Sequence, residues 1–139
     1  MIIKTLPNLI KQFYSISNSN INKYNVSFLL NSYVGIDWME YTKVEIQKPY
    51  VFHLKNIEKE NIDINLVNIY EKQKYTLEKN TEYHIKVLDG CFVIKPCGGI
   101  VYKDLYTYLN NCNQCDKNLM LENNFTTDQT SLLIISKKL

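Results

Sequence analysis

The segment YTLEKNTEYHIKVLDG, residues 75–90, sets a polar pair two residues apart, Thr76 and Glu78, ahead of a strand that contains His84. A closing Leu-Asp-Gly turn follows. Paired side chains at this spacing before a strand are where iron-binding β-barrels hold metal, but such sites are written in histidine, and the chain has only two, His53 and His84. A three-histidine iron site therefore cannot be assembled. A facial triad of two histidines and a carboxylate remains arithmetically open with His53, His84 and Glu78. Strand alternation speaks against it. Along Glu82–Leu88 the apolar set Tyr83, Ile85 and Val87 shares one face, which leaves Glu82, His84 and Lys86 on the other. Along Tyr50–Leu54 the set Tyr50, Phe52 and Leu54 likewise opposes His53 and Val51. Both histidines are thus expected to face away from a barrel interior, at exposed or interface positions.

Four cysteines offer a second chemistry. Cys112 and Cys115 form a C-x-x-C pair, and Cys91 and Cys97 lie upstream at C-x5-C spacing. Four thiolates could hold a structural zinc, with the C-x-x-C turn supplying half the tetrahedron. The upstream spacing departs from a paired zinc knuckle. A redox role would require a depressed thiol pKa, and no helix N-terminus is expected beside the pair to provide it. Structural thiols are the expectation, with zinc and redox as the alternatives.

The elements that must position these groups change character near Pro49. Before it, Leu6, Leu9, Ile10, Phe13 and Ile16 recur at helical spacing, with Pro7 suited to a first turn. Val26, Leu29, Leu30 and Tyr33 outline a second helix that Gly35 is placed to end. A third short turn is expected at DWMEY, with Asp37 as its cap. After Pro49 the period falls to two. The runs YVFHL, IDINLVNIY, KYTLE, EYHIKVL, CFVIKPC, GIVYKDLYTYL, KNLMLE and TSLLIIS read as short strands of a sandwich or barrel. Runs of mixed charge such as KNIEKEN read as solvated edges, which discourage strand-to-strand aggregation.

Composition narrows the partners. A hydrophobic content of 45% and a length of 139 residues suit one domain with a single core. The net charge of +2 is too small to announce nucleic acid or an acidic membrane. There is no arginine, so no bidentate grip on a carboxylate or phosphate can be made. The 17 asparagines and 16 isoleucines, with no alanine, point to an AT-rich genome such as that of a large DNA virus. No run approaches the roughly 20 apolar residues that span a bilayer, and the N-terminus does not read as a signal peptide. Cysteines without such a signal read as reduced, so the expected location is the cytoplasm, away from membranes. The terminal S-K-K-L is too loose a match to a peroxisomal signal to use.

With these pieces in order, the chain resembles the cysteine dioxygenases, a family of the cupin superfamily. TLPNLIKQFY, NINKYNVSFLLNSY and DWMEYTKV are similar to that family's N-terminal helices and W-x-x-Y turn. KPYVFHL resembles its Y-T-R-N-L strand. INLVNIYEKQKYTLEKNTEYHIKVLDG resembles its central hairpin with the closing K-x-L-x-G, and LENNFTTDQTSLLIIS its last strand. The resemblance implies a mainly β, cupin-type double-stranded β-helix, a jelly-roll barrel preceded by two to three short N-terminal α-helices. Residues 1–139 would form one domain, with helices over 1–45 and the barrel over 46–139.

The resemblance also implies that the family's chemistry is gone. Its members hold ferrous iron with three histidines and oxidise a thiol to a sulfinate. Thr76 and Glu78 stand where the first two histidines would be, and Leu119 stands at or next to the third. Phe52 stands where an arginine would grip the substrate carboxylate. Tyr83 replaces the active-site cysteine, Ile135 its tyrosine partner and Leu133 a further late-strand histidine. Phe52, Leu119, Leu133 and Ile135 would then make the barrel mouth apolar, and Glu78 would reach water or pair with a lysine. The chain is accordingly expected to be a degenerate, non-catalytic member without iron. It would act as a binding or scaffolding subunit with a protein partner. A nucleobase or cap-like ligand on tyrosine-rich barrel faces is one alternative. A divergent iron thiol dioxygenase is the other.

Overall fold

A computed structural model describes residues 1–16, 21–41, 50–57, 62–96, 100–103, 106–111, 118–123 and 128–139. Helix α1 spans Leu6–Ser15 and α2 spans Lys23–Ser32, followed by a 3-10 turn at Asp37–Tyr41. Strands follow at β1 (Tyr50–Ile57), β2 (Ile62–Tyr70), β3 (Lys74–Thr76), β4 (Thr81–Asp89) and β5 (Phe92–Lys95). The last four are β6 (Val101–Tyr102), β7 (Thr107–Asn111), β8 (Met120–Asn123) and β9 (Gln129–Lys138). They form two antiparallel sheets, β1-β2-β9-β4-β7 and β3-β8-β5-β6. The jelly-roll barrel with helices in front of it is therefore present. Among the described residues no helix is long and apolar enough to cross a membrane.

Local chemistry explains the helix ends. Thr5 caps α1 by accepting from the Asn8 amide, with Pro7 in the first turn, and Asn22 caps α2 by accepting from the Asn25 amide. Asp37, expected as the cap of its own turn, is the first residue inside that turn. Its carboxylate reaches back 31 residues to accept the Leu6 amide at 2.8 Å and takes the Tyr33 hydroxyl at 2.5 Å. Gly35 also differs from expectation. Helix α2 ends at Tyr33 in an extended conformation, and Gly35 lies beyond it. A Cβ at Gly35 would lie 1.8 Å from the Lys4 carbonyl oxygen, so the residue is needed for close approach of the N-terminal segment. Gly90 closes the β4–β5 turn with φ +80, a left-handed conformation suited to glycine.

The core has two compartments, one on each face of the five-stranded sheet. Inside the barrel, Val67, Ile69, Tyr83, Ile85, Leu132 and Ile134 meet Leu77, Phe92, Ile94 and Leu121. On the outer face, Ile62, Ile64, Leu66, Leu133 and Ile135 meet Leu6, Leu9, Phe13, Val26, Leu29 and Leu30 of the helices. The helices thus cover a second apolar face that would otherwise lie in water.

A buried polar tie joins the sheet to the helical layer. Lys86 projects from the outer face of β4 and is buried. Its Nζ donates to the Leu30 carbonyl at 2.8 Å and to the Tyr33 carbonyl, and it lies 5.4 Å from the Tyr33 ring centroid. These carbonyls belong to the end of α2, where helical bonding leaves acceptors unmatched and the dipole favours a cation. Burial lowers the lysine pKa. Replacing Lys86 with Met keeps the stem and strips the carbonyls of their donor. A loss of roughly 1–3 kcal/mol is expected, read as a lower urea midpoint at unchanged slope.

Candidate functional site

The barrel mouth lies where β3 leads into β4, and its inward residues follow from strand parity. Tyr75 and Leu77 turn inward: Tyr75 packs on the barrel cluster, and Leu77 is 2% exposed. The Leu77 amide donates to the Leu119 carbonyl at 2.9 Å. Thr76 and Glu78, between and beyond them, are exposed. Neither of the two positions equated with metal ligands therefore enters the barrel. The sequence carried a signal for this, because Tyr75 and Leu77 are the apolar members of that alternation.

Glu78 combines the two roles considered for it. Its side chain is 68% exposed and lies 3.7 Å from Lys138 Nζ. Exposed pairs of this kind contribute little to stability.

Behind this rim, Tyr83 is buried and its hydroxyl oxygen accepts the Glu78 amide at 2.6 Å. Asn111 Nδ2 donates to the Glu78 carbonyl at 2.7 Å and to the Leu77 carbonyl at 3.4 Å. Tyr83 and Asn111 thus hold the Leu77–Asn80 turn shut over the barrel end. Asp63 and Asn65 share the inward parity of Val67 and Ile69 on β2, and Asn65 is buried. Burial pushes the Tyr75 phenol up to about 12, helped by Tyr83 and the charges of Glu78 and Asp63. Burial also raises the Tyr83 pKa. Both phenols stay protonated near neutrality, and the Tyr83 hydroxyl serves as a hydrogen-bonding group.

The other anticipated site residues are dispersed. Leu119 is half-buried against the barrel cluster. Leu133 and Ile135 do not line the mouth as expected; they point to the helices, and their neighbours Leu132 and Ile134 fill the barrel. A one-residue difference in parity exchanges the faces completely. Phe52 and His53 pair through their backbones with Leu66 and Asn65, and their side chains lie outside the described residues. Cys97, Cys112 and Cys115 also lie outside them. Cys91 is buried, and its carbonyl accepts from Thr130 Oγ1 at 2.6 Å. Among the described residues no three His, Cys, Asp or Glu side chains converge to hold a metal ion.

His84 corrects a further expectation. It faces away from the barrel interior, as alternation predicts, yet it is fully buried and not exposed. The covering layer accounts for the difference. Its Nδ1 lies 2.8 Å from the Tyr106 hydroxyl, and Tyr106 and Tyr108 flank the ring with centroids 5.9 and 5.3 Å away. Neither Lys86 nor the Tyr106–Tyr108 setting was recognised from sequence; the run E-Y-H-I-K-V-L shows which face these residues share but not what lies over it.

No protein-family model matches the chain, and no curated protein is similar in sequence. Solved structures are similar in fold. A cupin-superfamily protein from Desulfitobacterium hafniense superposes with TM-score 0.53 at 12% identity, covering 70% of this chain and 84% of that one. A cupin 2 conserved barrel domain protein from Leptotrichia buccalis gives 0.55 at 16%, covering 72% and 46%. An RmlC-like cupin family protein with a double-stranded β-helix fold, from Methanocaldococcus jannaschii, gives 0.50 at 17%, covering 70% and 86%. The fold is the cupin double-stranded β-helix. None of these three names a cysteine dioxygenase, and identities this low carry the fold alone.

The turn architecture of this cupin-fold chain can be checked by paired substitutions. Tyr83→Phe removes the acceptor of the part-buried Glu78 amide and is expected to cost about 1 kcal/mol in urea denaturation. Lys138→Gln, at the exposed pair, is expected to change stability by less than about 0.5 kcal/mol.

Proposed function

We propose that this chain is a non-catalytic cupin that works by binding a protein partner, as a scaffolding subunit of a larger assembly. The observation that carries the proposal is the filling of the barrel. Inward positions of β4, β8 and β9 hold Tyr83, Ile85, Leu121, Leu132 and Ile134, and the approach from β3 holds Tyr75 and Leu77. A metal centre needs several unprotonated N, O or S donors aimed at one point. The packed apolar lining instead stabilises the barrel and makes charge there costly. The resemblance to cysteine dioxygenases supports the same reading, with Thr76, Glu78 and Leu119 in place of ligands.

A surface feature supports binding. Ile3 and Tyr33 form a parallel bridge with their side chains buried, and their neighbours Ile2 and Val34 are 71% and 61% exposed. Ile36 and Met39, just beyond in the chain, are exposed as well. Four exposed apolar side chains thus follow the Ile3–Tyr33 bridge and the segment just after it, and it is this stretch that we propose a partner covers.

Oxygen uptake by iron-supplemented protein, offered cysteine and other small thiols, tests the non-catalytic half. No consumption above a protein-free control is expected; sustained turnover would refute it. Affinity capture tests the binding half. A partner retained by the native chain is expected to be lost with the Val34→Asp/Ile36→Asp pair, at unchanged unfolding midpoint.

A further inference from the structure

Helix α2 is held against the sheet over a small, mostly cationic group of side chains, with one orphaned nitrogen at its centre. His84 is 0% exposed, and among the described residues its Nε2 has no hydrogen-bond partner. Buried polar atoms without partners are rare and costly. The neutral ring tolerates the site because Nδ1 alone engages Tyr106. In the imidazolium both ring nitrogens are donors, so Nε2 must then be an N–H that meets no acceptor among the described residues.

The surrounding charges would also resist that proton. From β4 come Glu82 and the buried Lys86; from β9, Lys137; from α2, Lys23. The Tyr108 hydroxyl donates to Glu82 Oε1 at 2.8 Å, so the carboxylate is already engaged. Lys23 Nζ sits 4.1 Å from the Tyr108 ring centroid, and Lys137 Nζ donates to the Ile21 carbonyl at 3.4 Å, just before α2. An imidazolium would thus face the Lys137 and Lys23 ammonium groups against one carboxylate, with Lys86 further along the same face of β4 bonded to the end of α2.

We propose that His84 makes the docking of α2 on the barrel acid-labile, so that protonation of its imidazole loosens the helical cover. Loosening would uncover the outer apolar face of Ile62, Ile64, Leu66, Leu133 and Ile135. The sign follows from linkage. Burial, with Lys137 and Lys23, lowers the His84 pKa from 6.5 to about 4, against an opposing pull from Glu82. The undocked form therefore binds the proton more readily. Docking is at full strength above pH 6.5 and weakens as pH falls through the window toward 4.

Amide hydrogen exchange at about pH 7.5 and pH 5, corrected for intrinsic rates, tests the device. Protection over Val26–Leu30 is expected to fall roughly tenfold or more at the lower pH, while that of Leu132–Ile135 falls much less. His84→Gln, neutral at both values, is expected to lose the differential. Should that variant fold poorly, Lys137→Met offers a second test: it removes one opposing charge, brings the docked pKa nearer the undocked one and should shrink the acid effect. His53→Gln, which removes the other histidine, should behave as the native chain. Protection of α2 that is independent of pH, or an acid response that persists in His84→Gln, would overturn the proposal.

Discussion

The five-stranded sheet is apolar on both faces, and everything else in the molecule answers that constraint. Strand β9 buries Thr130 through Ile135 without a break and pairs with β2 on one side and β4 on the other. A strand of this kind cannot leave either face in water. The second sheet covers one face and closes the barrel. The N-terminal helices cover the other, and Asp37 and Lys86 tie that cover in place through the Leu6 amide and the carbonyls of Leu30 and Tyr33. The helices are thus part of the core and not an ornament on it.

The same constraint bears on function. A cupin that does chemistry must keep a polar cluster inside its barrel, at a cost in packing and desolvation. Here the described interior is packed mainly with aliphatic side chains and phenols, with Asp63 and Asn65 at inward positions of β2, and at the mouth Tyr83 and Asn111 bond to the backbone. Tyr83 and Asn111 bind the Leu77–Asn80 turn, a stabilising role for side chains that could otherwise face a ligand. The buried titratable groups His84 and Lys86 lie on the outer face of β4.

The sequence disclosed the scaffold better than the site. Helical spacing of Leu6, Leu9 and Phe13, and the alternation of Tyr83, Ile85 and Val87, report burial directly, and both were legible. Alternation does not report what lies over a face, so the burial of His84 and Lys86 was hidden; Lys86 meets the end of α2, 56 residues from Leu30, and His84 lies against Tyr106 and Tyr108. Parity was ambiguous in Leu132–Ile135, four consecutive apolar residues with no polar member to mark the outer side. Family resemblance then set Leu133 and Ile135 in the barrel, and tertiary packing sets them under the helices. At Thr76 and Glu78 the local pattern was the better guide, because Tyr75 and Leu77 already claimed the inner face.

The central proposal is that this barrel is filled by packing and holds no metal centre. Metal analysis of the purified protein, before and after anaerobic incubation with ferrous iron and removal of the excess, tests it most directly. A packed barrel without converging ligands should retain far less than one iron per chain in both cases. Retention of about one iron per chain, lost on substitution of His53 or His84, would contradict it.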